Sequence, residues 1–115
     1  MGNVNLRAAI LRDADLSESY MRFVNLRGTN LKAANLENTR ISNSDMSGPD
    51  LRLANLQNSI LRNSLCMAAN FAEAMLHKVH LEYTNLRDAS FRYAKMTYAK
   101  LDRAKSRTQI SKARF

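Results

Sequence analysis

The apolar residues of this chain fall on a five-residue grid. Steps of five from Leu6, through Leu11, Leu16 and Met21 to Leu101, visit 20 positions, all apolar, 13 of them Leu. A chain that is 45% apolar would place only about 9 apolar residues there by chance. Two residues before each stands a small one: Ala nine times, Ser four, Thr three, Val three and Pro once. Between the small and the large residue, 10 of 20 positions are Asn or Asp. Residues 24–38 show the phrase plainly as VNLRG TNLKA ANLEN.

Neither regular element can use this spacing. On a helix, at about 100° per residue, leucines five apart advance by about 140° and form no stripe. On one continuous strand an odd period throws alternate leucines to opposite faces. The pattern therefore predicts a chain that turns within every five residues. The small residue and the Leu, two apart, share an inward face, and the Asn or Asp between them points out. The next two residues turn a corner. The predicted core includes Leu26, Leu31, Leu36, Cys66, Phe71 and Phe91.

The phrase, written A(D/N)LXX, resembles that of pentapeptide-repeat proteins, and it runs over residues 4–103 without an insertion. The resemblance implies an all-β fold: a right-handed, quadrilateral β-helix with four repeats per coil, hence about five coils. At a strand spacing of ~4.8 Å the rod would be roughly 24 Å long. Phe71 and Phe91, the two Phe at inward positions, lie 20 apart and would stack in successive coils. The division expected is a β-helix over residues 1–103 and an irregular last coil or short helical cap over residues 104–115.

Several positions depart from the phrase. Pro49 takes a small-residue position, and its missing N–H predicts one lost inter-coil hydrogen bond. Ile10, Tyr20, Ile60, Leu65 and Met75 replace the outward Asn or Asp with scattered surface apolar groups. After Lys105 the frame slips. Thr108-Gln109-Ile110 and Ala113-Arg114-Phe115 restore a small-x-apolar pairing one residue out of step. A solenoid needs covered ends. Little precedes Val4 to serve as a cap, so an end-to-end homodimer or excision from a longer chain is expected.

Composition adds limits. The chain has 115 residues, 3 Gly, 1 Pro and no Trp, whereas a turn-rich all-β protein of ordinary kind uses more Gly and Pro. One Cys excludes an internal disulfide framework. There is no signal-peptide core and no apolar run of roughly 20 residues. A cytoplasmic protein with no membrane association is expected. Net charge is +8 and uneven: residues 1–57 hold 7 Lys/Arg against 6 Asp/Glu, residues 58–115 hold 11 against 4.

Reactive chemistry finds little support. Cys66 takes an inward Leu position and reads as core. His77 and His80 are separated by Lys78 and Val79 across a corner, with no further ligand, so no metal or cofactor is expected. Glu73, Glu82, Asp88 and Asp102 read as single carboxylates. A filled interior leaves no pocket for a small-molecule substrate, and the expectation is a non-enzymatic scaffold or interaction module.

The exterior carries more. Positions 20 apart stack into columns, one reading Arg12, Lys32, Arg52, Ala72, Arg92, another Arg7, Arg27, Ser47, Met67, Arg87. Tyr83, Tyr93 and Tyr98 join the cations near the C-terminal end. Such a surface suits an acidic protein or other anionic macromolecule. Weak nucleic-acid binding at the Tyr-bearing end is the alternative. The resemblance adds a third reading, since some members of that family bind type II topoisomerases by imitating DNA. That role wants an acidic exterior, which a charge of +8 opposes.

Overall fold

The computed structural model describes residues 3–105 and 113–115. Its order comes from one rule, which holds as far as Lys105: a residue pairs in parallel with the residue twenty further on. Bridges join Asn5 to Asn25, Asn25 to Asp45, Asp45 to Leu65, Leu65 to Asn85 and Asn85 to Lys105. Parallel ladders at the same offset start from Ile10, Asp15 and Tyr20. Two bridges lengthen into three-residue strands, β1 (Tyr20–Arg22) and β2 (Arg40–Ser42), in register Tyr20 to Arg40. The fold is a β-helical solenoid, in which backbone pairing runs between windings rather than within a hairpin.

The repeats starting at 24, 29, 34, 54 and 69, which carry the outward Asn, account for all five of their backbone N–H groups. In the repeat starting at Thr29, the Thr29 N–H donates to Leu26 O at 3.2 Å and closes a turn. Asn30 N–H donates to Ala9 O, one winding back, while Leu31 and Ala33 donate to Asp50 O and Arg52 O, one winding on. The fifth, Lys32 N–H, donates to the Asn30 side-chain oxygen at 3.1 Å. The Asn or Asp of the phrase thus does more than point outward. All ten of these side chains, from Asn5 to Asn85, accept the N–H two residues on. Such a side chain copies a turn carbonyl and fixes the chain as it leaves the extended segment.

The turn itself has a fixed conformation. The second variable residue of every repeat has positive φ, for example Ala33 at 60° and Leu53 at 62°. Positive φ at the third of four turn residues, closed by a bond such as Ala34 N–H to Leu31 O at 3.0 Å, marks a type II turn. L-residues resist that region, and Asn, Asp or Gly hold it at 13, 28, 38, 43, 48, 58, 63 and 88. Elsewhere Phe23, Leu53, Tyr83, Tyr93 and Tyr98 tolerate it, their rings and chains leaning out into solvent.

Two turns in one column are built differently. At Val24 and Ser44 the usual turn bond is replaced: Val24 N–H donates to Ser44 Oγ at 3.0 Å, and Ser44 N–H to Ser64 Oγ at 3.3 Å. Two windings after Ser44, Thr84 N–H returns to Leu81 O, and the Thr84 hydroxyl joins it there at 2.6 Å. Pro49 also falls at a turn. The N–H it lacks would have donated within its own turn, toward Met46, because small residues donate there. The expected loss of an inter-coil bond is therefore corrected: Pro49 O still accepts Asn70 N–H at 3.0 Å.

The interior is filled. Leu26, Leu31, Leu36, Cys66, Phe71 and Phe91 are buried to within 1% of completely. A buried Leu of this kind contributes about 1.5–3 kcal/mol. Small residues alternate with them, including Ala54, Ala69 and Ala74. Phe71 and Phe91 lie parallel in adjacent windings. Arg114 bridges Lys95 nineteen residues back rather than twenty, matching the one-residue slip of the phrase there. Most of the 104–115 cap expectation lies outside the described residues. Among the described residues no helix is long and apolar enough to cross a membrane.

Candidate interaction surface

Backbone bonds between windings place the two cationic columns directly. Asp13 N–H donates to Lys32 O, Ala33 to Arg52 O, Leu53 to Ala72 O and Glu73 to Arg92 O, which stacks Arg12, Lys32, Arg52, Ala72 and Arg92. The same bonds from Ala8, Gly28, Gly48 and Ala68 stack Arg7, Arg27, Ser47, Met67 and Arg87. Strand spacing sets neighbours in each column about 5 Å apart.

Stacking does not make these columns evenly positive. Arg52 is clamped to Asp50, with Nε to Oδ1 at 2.9 Å and Nη2 to Oδ2 at 2.7 Å. The Arg52 hydrogen bonds hold the Asp50 carboxyl below the usual carboxylate range. Arg12 lies 3.6 Å from Asp13 and Arg27 3.9 Å from Asp45. Lys32 is half-buried, and Arg7 and Arg87 are exposed. Arg92 lies over the Tyr93 ring at 5.5 Å. Tyr83 and Tyr98 are exposed, and Tyr98 meets the His77 ring edge-on at 5.7 Å.

Among the described residues, the remaining cations toward the C-terminal end form no ion pair. They are Lys78, Arg87, Arg92, Lys95, Lys100, Arg103, Lys105 and Arg114. The free positive surface is therefore concentrated toward this end, where Arg92 and Arg87 finish the two columns, while Arg12, Arg27 and Arg52 lower in them lie beside carboxylates.

Three features escaped the sequence reading. The first is an ion pair between a buried carboxylate and a half-exposed arginine. Glu82 is not a lone surface carboxylate: it is 7% exposed and takes Arg62 Nε and Nη2 at 2.8 Å each on Oε2. His80 Nδ1 stands 3.3 Å from Oε1, which is buried without a well-aligned hydrogen bond. Burial pushes the Glu82 carboxyl up, but the bonds from Arg62, its own backbone N–H and His80 outweigh it, and it rests below the ordinary value. Residues 62 and 82 are 20 apart, so sorting acids as well as bases into columns exposes the pair. The His77 ring meets Tyr98 and the His80 ring faces Glu82, and among the described residues no three His, Cys, Asp or Glu converge on one point.

The second is a set of arginines laid over aromatic rings near the other end, Arg40 over Tyr20 at 5.1 Å and Arg22 over Phe23 at 5.5 Å. The third is a groove, contrary to the expectation that a filled interior leaves no pocket. It lies on the outside, where the turn changes between Ser64 and Thr84. Asn63, Ser64, Leu65, Tyr83, Thr84, Asn85, Arg103 and Lys105 line it.

Comparison with known proteins agrees with this geometry. A family profile described as pentapeptide repeats matches in 8 copies, over residues 1–38, 9–48, 50–82 and 69–105. No curated protein matches the sequence. Among solved structures, full-length QnrB1, a plasmid-mediated fluoroquinolone resistance protein, superposes with a TM-score of 0.74 at 18% identity. The match covers 99% of this chain and 71% of QnrB1. The pentapeptide repeat protein alr5209 from Nostoc PCC 7120 superposes with a TM-score of 0.63 at 24% identity, covering 96% of this chain and 83% of its own. At these identities the likeness is one of fold.

Proposed function

The chain belongs to the pentapeptide-repeat family, and from that premise we propose that it is a non-enzymatic scaffold presenting a basic surface to an acidic protein. The observation that carries this reading is the run of cations in residues 78–105 that no carboxylate neutralises among the described residues. Opposite charge speeds encounter and is screened by salt. The solenoid backbone holds those cations at fixed spacing, so little side-chain-bearing backbone must be ordered on binding.

The finer architecture belongs to the same proposal. A right-handed, four-sided helix of about five coils over residues 1–103 fits the twenty-residue bridge offset and one turn per repeat. The half-buried Leu6, Leu11 and Leu16 support end-to-end association with a second copy.

A titration with an acidic polypeptide at low and high salt tests the charge reading. Two variants separate the surfaces: Arg87, Lys95, Lys100 and Arg103 to Ser, and Arg12, Lys32, Arg52 and Arg92 to Ser. Salt-sensitive binding lost mainly in the first supports the C-terminal surface. Binding that survives the first variant removes it.

A second reading, weak nucleic-acid binding, draws on the exposed Tyr83 and Tyr98 and on Arg92 over Tyr93. Tighter salt-sensitive binding to single-stranded DNA than to the polypeptide would favour it. The charge of this chain does not support a role like that of QnrB1, a fluoroquinolone resistance protein. Imitation of a nucleic acid calls for an acidic exterior, and this chain carries +8.

A further inference from the structure

The geometry points to the outer groove between residues 63 and 105 as a binding site for a phosphate monoester that carries a planar ring, the chemistry of a nucleoside monophosphate. The site lies outside both cationic columns and does not depend on a macromolecular partner.

Its walls are fixed. Three successive windings supply residues 63–65, 83–85 and 103–105. Asn85 N–H to Ser64 O at 3.0 Å and Lys105 N–H to Thr84 O at 2.9 Å lock one side. Asn63 N–H to Glu82 O at 3.3 Å and Tyr83 N–H to Asp102 O at 3.1 Å lock the other. The groove opens where the serine-bridged turn at Ser44 and Ser64 gives way to the ordinary turn at Thr84.

Its lining selects an anion. Among the described residues no carboxylate lines it, and Arg103 and Lys105 stand free of ion pairs. The neighbouring Glu82 is already held by Arg62. Asn85 spends its side-chain oxygen on Arg87 N–H, which leaves its amide N–H groups to donate. The Ser64 and Thr84 hydroxyls are committed to backbone carbonyls at Ile41 and Leu81. A guanidinium and an ammonium two residues apart suit the two charges of a phosphate monoester.

Its apolar part selects a ring. Leu65 replaces the Asn or Asp of the phrase and is 42% exposed, while Tyr83 beside it is 58% exposed. A planar base can rest on this pair, since every base has a face that stacks on an aromatic side chain.

The test is an amide-resolved NMR titration of the full chain with adenosine monophosphate, inorganic phosphate, and a dinucleotide with and without a 5′-phosphate. Adenosine monophosphate should shift residues 63–65, 83–85 and 103–105 and bind more tightly than inorganic phosphate. Arg103→Ser should weaken it by about tenfold, a factor equal to 1.4 kcal/mol. Tyr83→Ser should weaken the nucleotide and spare phosphate. The Arg12, Lys32, Arg52 and Arg92 variant should bind as the parent does. Tighter binding of the 5′-phosphorylated dinucleotide than of the mononucleotide assigns the groove to a strand end, and equal binding assigns it to the free nucleotide. Shifts scattered over other basic residues, equal affinity for phosphate alone, or an unaltered affinity in Arg103→Ser overturns the proposal. Thermal melting of each variant shows that the fold is intact.

Discussion

The rings of Phe71 and Phe91 lie 3° from parallel with centroids 4.8 Å apart, one winding above the other. Both side chains are fully buried. Phe71→Ala should destabilise by about 3–5 kcal/mol, since it loses both burial and the space the ring fills. Phe91→Leu and Phe71→Leu should each cost less, and their double-mutant cycle isolates the ring–ring term at about 0.5–1.5 kcal/mol. Urea denaturation measures all four. Strict additivity would show that the rings act only as volume.

The Asn side chains that close the turns predict two substitutions of opposite sign. Asn30→Ala removes the acceptor for Lys32 N–H and should cost about 1 kcal/mol. Ile10 takes the same place in its repeat, is 82% exposed, and offers Arg12 N–H no side-chain acceptor. Ile10→Asn supplies one and removes an exposed apolar group, so its melting temperature should rise. If both substitutions move the melting temperature the same way, the side-chain acceptor is not what holds the turn.

The core was legible in the sequence because burial acts on residue size, and size repeats every five residues. Cys66 and Phe71 could be placed inward from position alone. The role of the Asn was partly hidden. An outward polar residue and one that folds back on its own backbone have the same composition, and only the position two residues later separates them. The surface was harder to read for another reason. Column sorting placed Arg52 correctly, but its charge is cancelled by Asp50, two residues before it in the same repeat. The Arg62–Glu82 pair and the groove arise between windings, where rotamers and turn type decide the outcome.

Cys66 predicts a kinetic measurement. Burial, with a smaller push from Asp45, raises its thiol to about 12. Thiolate is the reactive form, so at pH 8 the folded protein holds almost none of it, and the sulfur is out of reach of reagents. A disulfide reagent should label Cys66 only through unfolding. The labelling rate should rise with urea in step with the unfolded fraction. Fast labelling in native buffer would place the thiol at a surface.

The buried Glu82 predicts how stability falls in acid. Its folded-state carboxyl sits below the ordinary glutamate value of 4.5. The unfolded chain therefore takes up a proton at higher pH than the folded chain does. The stability that Glu82 supplies is complete above about 4.5 and is lost as pH falls through the lower, folded value. Glu82→Gln cannot ionise and keeps a similar shape. At neutral pH it should be less stable than the parent by about 1–3 kcal/mol, because the hydrogen bonds it loses from Arg62 are to a charged group. Near pH 3 the gap between the two should narrow, because the parent has lost part of the same interaction. Arg62→Met leaves the carboxylate buried without its main partner, so it should destabilise at neutral pH and recover, relative to the parent, as Glu82 protonates. Urea denaturation across pH 3–8 for the three proteins reads this out. Parallel stability curves would mean that Glu82 does not titrate differently in the folded chain.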